Sequence, residues 1–179
     1  MMKSGMISSY RFFILQKARD MIYCKKGSDI TERSDEKYMQ EAIRLALEAG
    51  ESGEIPVGAV VVKNGEIIGR GKNHREKNGT ALGHAEIAAI EEACRTVGDW
   101  RLCDSELYVT LEPCPMCAGA ILNSRIKRVV YGASDEKTGC LGGHINLFEM
   151  GFEVRPAVTA GIMKDECEEI IKGFFKGKR

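Results

Sequence analysis

Leu107-Tyr-Val-Thr-Leu-Glu-Pro-Cys-Pro-Met-Cys-Ala-Gly119 is the stretch on which the reading of this chain turns. Leu107 to Leu111 is an apolar, β-prone run and predicts a strand. Pro113 and Pro115 end it and open a helix running to Asn123. Pro115 suits the first helical turn, where its missing N–H would have had no partner. The two thiols, Cys114 and Cys117, therefore fall on a strand-to-helix turn. Thiolates at a helix N-terminus feel the positive end of its dipole, which lowers their pKa and favours metal binding. Taken alone, Cys-x-x-Cys also fits a redox pair or half of a structural zinc site.

Upstream lies His84-Ala85-Glu86, at the start of a second periodic segment marked by Ile87, Ala88, Ile90, Ala93 and Cys94 and fading by Gly98. A lone His-x-Glu is commonplace on helix surfaces. Joined to the thiols it becomes specific, because His84, Cys114 and Cys117 suit tetrahedral Zn²⁺ and leave a fourth position for water. A structural zinc would need a fourth protein ligand, for which His74 and His144 are the remaining histidines. Glu86, two residues beyond His84, can face the open position without ligating. A carboxylate there takes a proton and returns it to a leaving amine. The combination H-x-E…P-C-x-x-C is the recognised signature of the zinc nucleobase deaminases.

The rest of the chain supplies a frame for these turns. Met39, Ile43, Ala46 and Leu47 recur at helical steps from Asp35 to Gly50, with Gly50 placed to end the helix. Val57–Val62 and Glu66–Gly71 read as strands joined by an Asn64-Gly65 hairpin turn. Residues 72–82 read as polar loop, Arg128–Tyr131 as a strand, 132–144 as loop and Glu153–Val158 as a weak strand. A last helix, Lys164–Lys176, is expected to bury Cys167, Ile170, Ile171, Phe174 and Phe175. Strands alternating with helices predict an α/β domain with helices on both faces of one sheet.

Composition narrows the function classes. With 44% hydrophobic and 29% charged residues in 179, the chain is ordinary globular material. Its longest early apolar run, Phe12-Phe13-Ile14-Leu15, is far short of a membrane span or a secretory h-region. A cytoplasmic protein without membrane contact is expected. Seven cysteines with only Cys114 and Cys117 closely spaced argue for reduced thiols rather than a disulfide framework. Residues 1–34 carry net charge +4 and 35–179 carry net −4. The division predicts an N-terminal extension over 1–34, a loose arm or the product of an upstream start with Met21 as an alternative, and one catalytic domain over 35–179. Nucleic-acid contact would have to use local patches such as Arg70–Arg75, Arg125–Arg128 or Lys172–Arg179, each of which alone reads as a solvated face.

The resemblance extends beyond the signature. Glu54-Ile-Pro-Val-Gly-Ala59, Gly69-Arg-Gly-Lys-Asn73, His84-Ala-Glu86, Trp100-Arg-Leu102, the Leu107–Gly119 stretch, Ser124-Arg-Ile126, Val129-Val-Tyr-Gly-Ala133, Lys137-Thr-Gly139, Asp165-Glu-Cys167 and Phe174-Phe175 resemble, in order, the bacterial tRNA-specific adenosine deaminases of the zinc-dependent cytidine/deoxycytidylate deaminase family. The resemblance covers Asp35 to Arg179. It implies a three-layer α/β/α cytidine-deaminase-like sandwich around one mixed sheet, one zinc per subunit and a homodimer. It also implies hydrolytic conversion of the wobble adenosine of a tRNA anticodon loop to inosine. Residue by residue, His84, Cys114 and Cys117 match the zinc ligands and Glu86 the proton shuttle. Asn73 matches a substrate-contacting Asn, and Asp135 an acid in the loop that touches the tRNA backbone.

Three departures fall where RNA would lie or the pocket is lined. Ala81-Leu82-Gly83 replaces the family's usual Pro-Thr-Ala before the His, Gly142-Gly143-His144-Ile145-Asn146 replaces Gly-Ser-Leu-Met-Asn/Asp, and the basic C-terminal tail is short. None touches the zinc donors. His144 therefore enters as a substrate-binding candidate on the pocket or its rim, where it would tune which amine is accepted. The alternative activity is zinc-dependent deamination of a free nucleobase, nucleoside or related amino-heterocycle. That reading needs a lid over the pocket, for which the C-terminal helix with Phe174 and Phe175 is the candidate.

Overall fold

The computed structural model of the protein describes residues 32–176. The expected extension, apart from its last residues, and the basic tail Lys178-Arg179 lie outside them. Helix α1 (Glu32–Glu51) leads into the hairpin β1 (Gly58–Lys63) and β2 (Glu66–Lys72), then a single-turn helix α2 (Arg75–Asn78) and α3 (Ala85–Val97). Strand β3 (Ser105–Leu111), helix α4 (Pro115–Asn123), strand β4 (Arg128–Ala133), a 3₁₀ turn at Leu147–Glu149, strand β5 (Ala157–Ala160) and helix α5 (Lys164–Lys176) complete it.

The five strands form one mixed sheet in the order β2-β1-β3-β4-β5. β1 runs antiparallel to both neighbours, while β3, β4 and β5 are parallel. Side chains alternate across β1, so Ala59 and Val61 face one layer and Val60 and Val62 the other. The first layer joins α3 and α4 through Ala89, Ile90, Ile121 and Leu122; the second joins α1 and α5 through Met39, Ala42, Leu45 and Cys167. Helices thus cover both faces, which is the expected three-layer sandwich.

The approach of α3 to the sheet is unusually close, and the sequence dictates it. A Cβ at Gly69 would stand 2.2 Å from the Ala89 carbonyl oxygen, and one at Gly71 would stand 2.0 Å from that of Ala85. Only glycine on the strand opposite alanine on the helix permits this contact. It presses the N-terminus of α3 against the end of β2 and so fixes where His84 and Glu86 emerge.

Four expectations need correction. Residues 72–82 contain helix α2, because the Glu54 carboxylate, from another part of the chain, accepts the Glu76 and Lys77 amides. The last strand is Ala157–Ala160 rather than Glu153–Val158, because its register follows from parallel pairing with Arg128–Tyr131 of β4. Helix α5 buries only Cys167, whose sulfur packs where Gly132 leaves room; Ile170, Ile171 and Phe174 are half-buried and Phe175 is exposed. Helix α1 starts at Glu32, three residues before Asp35.

Candidate active site

Two helix N-termini converge on one point. His84 is the N-cap residue of α3 and Cys114 that of α4, both in extended backbone conformation, with Pro115 in the first turn of α4. Their carbonyls accept the first helical bonds, from Ala88 and Ala118. His84 Nδ1 lies 3.6 Å from Cys114 Sγ and 3.5 Å from Cys117 Sγ. Among the described residues these three form the one group of His, Cys, Asp or Glu donors gathered within 4.8 Å, and they can hold a metal ion. Neither spare histidine joins them: His74 Nδ1 lies 3.1 Å from the Lys72 carbonyl oxygen, and His144 is exposed in a loop.

The electrostatics suit a metal donor set. The Cys117 thiol and His84 imidazole hydrogen-bond to Cys114 and draw its thiol down to about 4. One proton is thereby kept on the Cys117 side, and that thiol is raised. Bonding to Cys114 raises His84. Glu86 stands beside them, 4% exposed, on the first turn of α3. Burial pushes its carboxyl up to about 7, so near neutral pH it can both hold and release a proton.

These residues open onto a cavity of about 220 Å³. That is small beside the roughly 300–1,000 Å³ usual for ligand pockets. Besides His84, Cys114 and Glu86, it is lined by Ile55, Val57, Asn73, Arg75, Leu111, Glu112, Asp135 and Thr138. Asn73 is buried at the end of β2, and its Nδ2 donates to Glu54 at 3.4 Å. Asp135 lines the cavity too, but its carboxylate accepts the Lys137 and Thr138 amides and the Thr138 hydroxyl, at 2.9, 3.1 and 2.6 Å. It shapes its own loop as well as facing the pocket. His144 is not in the lining, and no residue of α5 is, so Phe174 and Phe175 form no lid.

The basic patches are mostly spent on internal partners. Arg70 pairs with Glu41 and Lys72 with Glu48; Lys127 pairs with Glu106, and Arg128 with Asp35 and Glu106. Arg75 is the member of these runs that reaches the cavity wall. Two buried acids beside the cavity escaped sequence reasoning, Glu54, which accepts from Asn73, and Glu112, although both stand in the quoted motifs. The available signal was an acid close before one apolar strand and another directly after a second, where burial demands partners that lie far away in sequence.

Comparison with known proteins agrees with this geometry. The MafB19-like deaminase family model matches residues 33–179. The chain is 50% identical over 146 residues to the tRNA-specific adenosine deaminase of Bacillus subtilis, covering 81% of this chain and 91% of that one. It is 46% identical over 157 residues to that of Haemophilus influenzae, covering 86% and 90%. A solved structure from work on A-to-I editing by tRNA:A34 deaminases at the wobble position of transfer RNA superimposes with a TM-score of 0.73 at 41% identity, over 75% of this chain and 98% of that one.

Proposed function

The chain belongs to the tRNA-specific adenosine deaminases of the zinc-dependent deaminase family, and we propose that its cavity takes the wobble adenosine of a tRNA anticodon loop and converts it hydrolytically to inosine. The observation that carries this reading is the His84–Cys114–Cys117 triangle with Glu86 beside it in a small cavity that α5 does not cover. A base extruded from a loop can enter through such an opening while the rest of the RNA stays outside.

Zinc fits the triangle. Zn–S bonds of about 2.3 Å and Zn–N bonds of about 2.0–2.1 Å at tetrahedral angles place nitrogen and sulfur about 3.6 Å apart. The two nitrogen–sulfur separations here are 3.6 and 3.5 Å. His84, Cys114 and Cys117 would hold one zinc per subunit, and zinc bound there supplies the Lewis acidity that lets water act as a nucleophile near neutral pH.

The protein's own residues do the rest. Glu86 takes a proton from the water whose oxygen bonds to C6 of adenine and passes it to the neighbouring ring nitrogen; it then takes the proton of the new C6 hydroxyl and gives it to the amino group, which leaves as ammonia as the C6–N bond breaks. Asn73, Val57, Asp135 and Thr138, which line the cavity, orient the nucleotide, and Arg75 offers a cation beside them. His144, on the outer side of the same loop, meets the RNA around the pocket rather than the base within it. The catalytic unit is residues 35–179, acting as a homodimer in the cytoplasm; sedimentation that finds only a 19.8 kDa species at micromolar concentration would refute the dimer.

The deciding assay incubates the zinc-loaded protein with an anticodon stem-loop and, separately, a panel of free nucleobases and nucleosides, reading ammonia and inosine. Deamination of the stem-loop alone is expected. Turnover confined to the free compounds would replace this reading with small-molecule deamination.

A further inference from the structure

Glu112 stands two residues before Cys114, at the end of β3, and neither the metal donors nor proton transfer uses it. It lines the cavity, yet the residue is only 3% exposed. Its carboxylate is taken up by main-chain amides of a single loop. Leu141 and Gly143 donate to Oε1, both at 2.8 Å, and Asp135 donates to Oε2 at 3.0 Å. The loop closes around the acid so tightly that side chains are excluded. A Cβ on Gly139 would stand 2.5 Å from the Glu112 carboxyl carbon, and one on Gly143 would stand 2.3 Å from Oε2. The adjacent Pro113 carbonyl accepts the Cys140 amide at 2.9 Å, so strand end and loop are joined at two successive residues.

Three amides compensate the loss of water around a buried carboxylate, and charge-assisted bonds of this kind are stronger than neutral ones. The loop they hold is the one that presents Asp135 and Thr138 to the cavity. We propose that Glu112 is a positioning residue: by holding residues 135–143 against the strand end that carries Cys114, it sets the distance between the substrate-facing wall and the metal donors. The proposal rests on the cavity being the nucleotide site.

The test uses zinc-loaded Glu112→Gln. Its remaining oxygen can still accept from Leu141 and Gly143, while its NH₂ group is forced against the Asp135 N–H. Amide exchange at Asp135 should accelerate at least tenfold while Leu141 and Gly143 change less. KM for the anticodon stem-loop should rise about tenfold with kcat within about threefold and zinc content unchanged. A general structural role would not produce that residue-specific pattern or that split. Gly143→Ala reaches the same contact from the loop side and should raise KM in the same way; it carries the test if Glu112→Gln fails to fold. Unchanged exchange at Asp135, or a fall in kcat at constant KM, would overturn the proposal. Failure of the wild-type protein to deaminate the stem-loop would instead overturn the functional reading, and the exchange measurement would still judge Glu112.

Discussion

Glu86 and Glu54 are the same residue type, 4% and 1% exposed, on either side of Asn73, yet their environments push them in opposite directions. Burial acts on both and on its own raises both. At Glu86 it prevails, with the Cys114 thiolate adding to it, and the carboxyl reaches about 7. At Glu54 the Lys77 and Glu76 amides donate directly to the carboxylate, at 2.7 and 3.2 Å, and bring it below the ordinary range. Burial therefore does not assign a role. The balance of backbone donors against burial does: Glu86, with only its own amide as a backbone donor, is poised to exchange protons, whereas Glu54, held by the amides of a neighbouring turn, stays charged and holds the chain in place.

The largest effect should come from removing the setting in which Glu86 works. Cys114→Ala leaves one thiol and one imidazole and should lose stoichiometric zinc and all measurable activity; full zinc retention by metal analysis would refute the donor assignment. Glu86→Gln comes next, with zinc and fold kept and the rate down roughly 10²-fold or more. Near-wild-type turnover would erase the contrast between the two acids.

A pH titration of the metal-free protein sharpens the contrast further, because the two signs differ. Glu54 is depressed, so its stabilisation is present above the usual carboxylate range and is lost as pH falls through its lowered value. Glu86 is raised, so at this carboxyl the folded state holds the proton more tightly between about 4.5 and 7, and the group's own contribution to stability declines as pH rises through that window, against the opposite contribution of the lowered Cys114 thiol. Relative to wild type, Glu86→Gln should gain stability as pH rises from about 4.5 to 7, and Glu54→Gln should lose less stability in acid. Denaturant melts across pH that show the same slope for wild type and both variants would refute the assignment.

Smaller effects are expected away from these acids. A chain beginning at Asp35 should keep zinc and turnover and lose only some stability; loss of zinc on truncation would place the domain boundary elsewhere. His144→Leu should leave zinc untouched and shift the ratio of activity on stem-loop to activity on free nucleosides only severalfold. An unchanged ratio returns His144 to a solvent-facing loop residue.

The metal end was the most legible part of the site in the sequence, because its signals are local: prolines that start α4, a histidine at the head of α3, and donors spaced by one turn. What escaped was set across the chain. Helix α2 exists because Glu54, some twenty residues earlier, satisfies its amides. The basic runs read as solvated faces, and the sequence did not show that Glu41, Glu48, Glu106 and Asp35 lie beside them as partners. The apolar positions of α5 read as fully buried, yet the helix touches the sheet mainly through Cys167. Periodicity reports which face is apolar and says nothing of how deeply a neighbour covers it.

The glycines of β2 carry a consequence for how this enzyme tolerates change. Gly69 and Gly71 let α3 lie directly on the strand, and a single added methyl would strike the helix backbone at 2.2 or 2.0 Å. The helix would have to lift, and it carries His84 and Glu86 at its head. In a saturation scan scored by turnover, these two positions should therefore look as intolerant as the proton shuttle itself, although neither has a side chain with which to meet the substrate. Sensitivity on such a map would mark where the backbone has no slack as well as where the chemistry happens.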